Sequence, residues 1–136
     1  MNALRARFKL WLSTKGVEGV FGDGKWRLLK AVDQTGSLSA ASELLRISYR
    51  KAWGDIKKAQ DNLNVTLVEK QRGGKSGGKT VLTDEGRKLL RAYTKFRADI
   101  EKQIEKAYEI CRKSSCNSSE KSDTKNVKAK RKQQNK

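Results

Sequence analysis

The chain has 136 residues, 32 of them Lys or Arg against 15 Asp or Glu, for a formal charge of +17. Hydrophobic residues make up 35%, enough for one modest core and not for two. So basic a surface argues for a polyanionic partner, because Lys and Arg gain free energy by displacing counterions from phosphates; nucleic acid leads and an anionic membrane surface comes second.

From the N-terminus, residues 6–12 alternate apolar and polar at Phe8, Leu10 and Leu12, the pattern of a half-buried strand. Thr14, Lys15 and Gly16 make a turn, and Val17, Val20 and Phe21 return as a second strand, giving a short hairpin. Gly22-Asp23-Gly24 breaks it, and Asp23 is expected to cap a first helix running to about Thr35 and stopped by Gly36. Trp26, Leu29 and Val32 share one face of that helix, with Leu28 beside them. Ser37 caps a short second helix with Leu38, Ala41, Leu44 and Leu45 at helical spacing, and Arg46-Ile47 forms a turn. Ser48 caps a third helix whose apolar positions Ala52, Ile56, Ala59 and Leu63 recur at the 3.6 period.

Leu67 and Val68 begin a strand that ends near Arg72, a Gly-rich loop follows at 73–78, and residues 79–82 return as a strand. Thr83 then caps a long helix expected to reach about Cys111, with Asp84 and Glu85 at the positive end of its dipole. Tyr93, Phe96, Ile100, Ile104, Ala107 and Cys111 form a stripe on it that suits packing against a partner helix. Residues 112–136 carry a net charge of +7 with almost nothing to bury, and read as a disordered tail. Residues 1–111 then keep +10, so the basic character does not depend on the tail.

The fold class is therefore mainly α with small β elements. Its architecture is a winged helix-turn-helix (residues 1–111) with an N-terminal hairpin, a long dimerisation helix and a basic tail (112–136). The physical task of each part follows. The major groove, about 12 Å wide, admits one helix. The second helix braces the third, and Ser37 stands where its N-terminal amides can meet a phosphate. The third helix presents Arg50, Trp53, Gly54 and Lys57 on one face, and Ser48, Tyr49, Arg50 and Lys51 at the end that enters the groove. Arg72, Lys75 and Lys79 line the wing. Trp53 reads either as core or domain packing, the more usual place for a Trp, or as a DNA contact. Tyr49 reads equally as a phosphate contact or as closing the core under the turn.

Gly36-Ser-Leu-Ser-Ala-Ala-Ser-Glu-Leu-Leu-Arg-Ile-Ser48-Tyr-Arg-Lys-Ala-Trp53 resembles the DNA-binding domain of the ModE molybdate-responsive transcription regulators. So do Leu67-Val-Glu, Arg72-Gly-Gly-Lys-Ser-Gly-Gly-Lys79, Leu82-Thr-Asp-Glu-Gly-Arg87, and the hairpin followed by Phe21-Gly-Asp-Gly24. The likeness covers roughly residues 4–110; its Gly-Ser-Leu-Ser-Ala-Ala start is shared with the LysR family. It implies a dimer held by the hairpin region and the last helix, with DNA contacts at Ser48, Tyr49, Arg50, Lys51, Arg72 and Lys75. Two departures stand out. The chain continues into a Lys-rich tail instead of molybdate-binding domains, which implies a stand-alone form with no evident effector site. Arg46 also occupies a turn position that often carries Gly, at a modest strain if φ is positive there.

Gly73-Gly-Lys-Ser-Gly-Gly78-Lys79-Thr80 matches the phosphate-loop pattern G-x-x-x-x-G-K-[ST]. That loop needs its Lys-Thr pair in the first turn of a helix, whereas Val81-Leu82 reads as strand. With no His, the commonest general base and the usual Ser or Cys triads are absent too. No enzyme, cofactor or metal site is expected, and Cys111 and Cys116 read as incidental thiols. No segment reads as a membrane span or signal peptide, so a cytoplasmic, nucleoid-associated protein is expected. The leading function is sequence-specific transcriptional regulation, and the resemblance implies metal or oxyanion transport genes as its targets. The alternative is a weakly specific protein that coats DNA, and a nucleotide-hydrolysing enzyme comes last.

Overall fold

The computed structural model describes residues 4–72 and 78–117. Two strands form the N-terminal hairpin, β1 (Trp11–Thr14) and β2 (Val17–Gly22). Three helices follow, α1 (Asp23–Thr35), α2 (Leu38–Leu44) and α3 (Tyr49–Leu63). Strands β3 (Val68–Gln71) and β4 (Lys79–Leu82) make a second antiparallel pair, and α4 spans Asp84–Asn117. The described residues fall into two compact parts: residues 8–98, and residues 4–7 with 99–117.

The hairpin is shorter at its start than its alternation predicts. In place of a ladder partner, Leu10 has Asp23: its N–H donates to Asp23 Oδ2 at 3.2 Å, and its carbonyl accepts from the Asp23 N–H at 3.0 Å. Cross-strand pairing therefore begins at Trp11, opposite Gly22. Asp23 is not a cap, as the sequence suggested. The N-cap is Gly22, with no side-chain bond, and Asp23 is a buried residue of the first turn.

Asp23 is held from three sides. The Tyr93 hydroxyl donates to Oδ1 at 2.7 Å, Arg97 Nε donates to Oδ1 at 3.0 Å, and the Leu10 amide approaches Oδ2. Burial pushes the carboxyl pKa up, but the bonds from Arg97, Tyr93 and Leu10 outweigh it and hold it below the ordinary carboxylate value. The Tyr93 hydroxyl is pushed the other way, by burial and by the adjacent Asp23 carboxylate. The Arg97 guanidinium also lies 4.6 Å from the Phe8 ring and 5.1 Å from that of Trp26, so α4 is anchored to the segment before β1 and to α1.

The core gathers Phe21, Leu28, Leu29 and Val32 with Leu38 and Ala41 of α2, Ala52, Ile56 and Ala59 of α3, and Leu67, Val68 and Leu82 of the wing. Tyr93 belongs to it: its ring meets Phe21 edge-on at 5.1 Å. Its place in the partner-facing stripe is thus corrected, because its own chain already covers it. Leu44, expected among the apolar positions of α2, is 61% exposed.

Apart from Asp23, the caps fall where the sequence sets them. Gly36 takes φ 70° and donates its N–H to the Val32 carbonyl, and its own carbonyl accepts from Thr80 of β4 at 3.0 Å. Thus the residue that stops α1 also seats the wing. Ser37 accepts from the Ala40 N–H, Ser48 from the Lys51 N–H and Thr83 from the Gly86 N–H. A Cβ at Gly86 would collide with the Leu67 carbonyl, so only Gly lets α4 start this close to β3. Arg46 does adopt a positive φ of 58° between α2 and α3. Arg46→Gly is expected to raise stability by about 1 kcal/mol, by relieving left-handed strain at an exposed side chain. Urea unfolding at pH 7 checks this, and an unchanged or lower midpoint contradicts it.

Helix α4 runs past Cys111 to Asn117, further than its apolar stripe suggests. Residues 112–117, expected to open the disordered tail, are helical and continue α4; residues 118–136 of that tail lie outside the described residues, as does Lys75.

Candidate nucleic-acid interface

Helix α3 owes its orientation to its small apolar face. Ala52, Ile56 and Ala59 are buried against the core, which turns Arg50, Trp53, Gly54 and Lys57 outward, and all four are exposed. The Ser48 oxygen is occupied as a cap acceptor, leaving its hydroxyl proton to donate to a phosphate. Lys51 is exposed and pairs with Asp55 at 3.1 Å, an i,i+4 contact that is weak in water and yields readily to a phosphate. Ser37 is half-buried, with its oxygen likewise committed to capping, at the N-terminus of the helix that braces α3.

On the wing, Arg72, just after β3, and Lys79, the first residue of β4, are both exposed. Lys79 and Thr80 both lie in β4, paired with Gln71 and Lys70, and Thr80 is buried. The phosphate-loop reading is therefore overturned: this Lys-Thr pair lies in a strand and does not open the helix that such a loop needs.

The aromatic residues of α3 stand at the surface, Tyr49 45% and Trp53 37% exposed. Tyr49 does not close the core under the turn, and Trp53 is not core. Both touch Lys70, which sequence reasoning missed: its Nζ donates to the Tyr49 hydroxyl at 3.3 Å and lies 5.3 Å from the Trp53 ring centroid. Only the placement of β3 beside α3 reveals it, since a Lys in a strand pattern is ordinarily solvated. Gln60 was missed for a similar reason. Its Oε1 accepts from the Leu67 and Val68 amides at 2.8 and 3.2 Å and ties the start of the wing to α3.

Of the proposed dimerisation residues, Phe96 is 45% exposed, Ile100 and Ile104 are half-buried and Ala107 is exposed. Among the described residues no three His, Cys, Asp or Glu side chains gather to hold a metal ion. No described helix is long and apolar enough to cross a membrane.

Residues 24–87 match the model for the bacterial regulatory helix-turn-helix protein, lysR family. The chain is 40% identical over 77 residues to the molybdenum-pterin-binding protein MopB of Rhodobacter capsulatus, covering 57% of this chain and 28% of that protein. It is 34% identical over 104 residues to the DNA-binding transcriptional dual regulator ModE of Escherichia coli strain K12, covering 75% of this chain and 38% of the relative. The chain thus spans well under half the length of these relatives. Among solved structures, it is similar to the CbnR DNA-binding domain in complex with DNA, with a TM-score of 0.54 and 18% identity. The match covers 65% of this chain and 95% of that one, and shows the fold.

Proposed function

We propose, from the lysR-type helix-turn-helix domain that residues 24–87 form, that this chain binds double-stranded DNA as a homodimer and regulates transcription. The observation that carries the reading is the two-sided character of α3. One side is locked into the core by Ala52, Ile56 and Ala59, and the other offers Arg50 and Lys57 from a helix whose N-terminal end is exposed. The names of the relatives connect them with molybdenum, so genes for the transport of that metal or its oxyanion are the targets we favour. The reading is of a cytoplasmic regulator and not an enzyme.

Arg50 lies in the first turn of α3, where a guanidinium can form a bidentate bond to guanine; Lys79, on the wing, can only neutralise phosphate. Arg50→Ala is expected to weaken binding to a selected site by about 1–3 kcal/mol and to leave random duplex nearly unaffected. Lys79→Ala is expected to weaken both alike and to reduce the salt slope by about 0.9. The measurement is binding of both variants to both duplexes at one stated salt concentration. Equal loss on both duplexes for Arg50→Ala favours a protein that coats DNA, a role the charge of +17 would also serve.

A further inference from the structure

Tyr49 and Trp53 are four residues apart on α3 and so share one flank, the flank that faces β3. Both rings stay substantially in water, with exposed Arg50, Lys51 and Lys57 on the same helix and exposed Lys70 on β3. Lys70 fixes them. Its ammonium donates to the Tyr49 hydroxyl and is attracted to the Trp53 ring, which ties the wing strand to the recognition helix.

Apolar surface left exposed among cations fits a partner that pairs negative charge with an apolar handle. In the DNA major groove the base edges carry one such handle, the C5-methyl group of thymine. We propose that Trp53, positioned by Lys70 and flanked by Tyr49, contacts thymine methyl groups and makes A·T pairs part of the preferred site. The inference rests on the DNA-binding reading above. Lys70 is then a positioning residue, and the wing takes part in base selection through it. Packing of the same ring on deoxyribose would be indifferent to sequence, which separates the two by experiment.

The test uses the full chain and its selected duplex, with each thymine replaced in turn by deoxyuridine, which lacks only the methyl group. At one or two positions in each half-site the replacement is expected to weaken binding about 4-fold, the equivalent of one buried methyl group. With Trp53→Ala the same replacements are expected to have no effect. Lys70→Met is expected to shrink the thymine-to-uracil ratio without changing the salt slope. Circular dichroism confirms folding, and Trp53→Leu takes the place of the Ala variant should that one unfold.

A uracil penalty that persists undiminished without Trp53 overturns the inference and leaves the DNA-binding reading standing, as does the absence of any penalty. A fall in salt slope alone for Lys70→Met makes Lys70 a phosphate contact and overturns its positioning role. If the unaltered protein prefers no duplex over random DNA, the functional reading itself fails, and this inference with it.

Discussion

Asp23→Ala is expected to destabilise the domain by about 3–5 kcal/mol, the usual result of removing one partner from a buried ion pair. The Asp23 side chain is 10% exposed and that of Arg97 19%, so the pair is largely shielded from water and its loss removes a buried charge-assisted contact. The Tyr93 hydroxyl and the Leu10 amide lose an acceptor at the same time. Tyr93→Phe removes only the hydroxyl and is expected to lower stability less, by about 1–2 kcal/mol. Urea unfolding at pH 7 measures both. An Asp23→Ala variant within about 1 kcal/mol of the parent would show that the cluster does not hold α4 to α1, against the magnitude expected for a buried pair.

The same carboxylate sets an acid limit. Its folded pKa is lowered from the ordinary carboxylate value, so the folded state binds fewer protons than the unfolded chain as pH falls. The contribution is fully present above the unfolded value, about 4, and is lost as pH falls through the folded one. The stability gap between the parent and Asp23→Asn is therefore expected to be constant at neutral pH and to close below about pH 4. A gap that widens on acidification contradicts the direction of the shift.

Replacing Ile100 and Ile104 together with Asp is expected to turn a dimer into monomers. The two lie four residues apart on α4 and are half-buried in a single chain, and a carboxylate in an apolar helix seam is strongly disfavoured. A dimer that places two recognition helices about 34 Å apart engages two half-sites at once. Its loss is expected to weaken operator binding by about 100-fold or more, the range over which a second linked contact acts. Sedimentation at micromolar concentration gives the state and titration of a two-half-site duplex gives the affinity. Circular dichroism verifies that α4 stays helical. If the unaltered protein sediments as a monomer, the dimer reading is wrong.

What the sequence determined by itself is local. Ser37, Ser48, Thr83 and Gly36 set helix ends because caps and left-handed stops act within three or four residues. The period of Ala52, Ile56 and Ala59 oriented the recognition helix, and Val81-Leu82 ahead of the Thr83 cap placed the wing strand that removes the phosphate-loop reading. The resemblance carried by Ser48 to Trp53 and by the double-Gly wing led to the same fold. Only the tertiary structure decided the rest. Asp23 looked like a cap because a short polar residue between two glycines suits one; contacts 70 and 74 residues away, to Tyr93 and Arg97, made it a buried anchor instead. Tyr93 continued a helical stripe, and periodicity reports which face is apolar without saying whether the same chain or another covers it. Lys70 met Tyr49 and Trp53 only because β3 folds back beside α3, a juxtaposition across about twenty residues that hydrophobic pattern cannot encode.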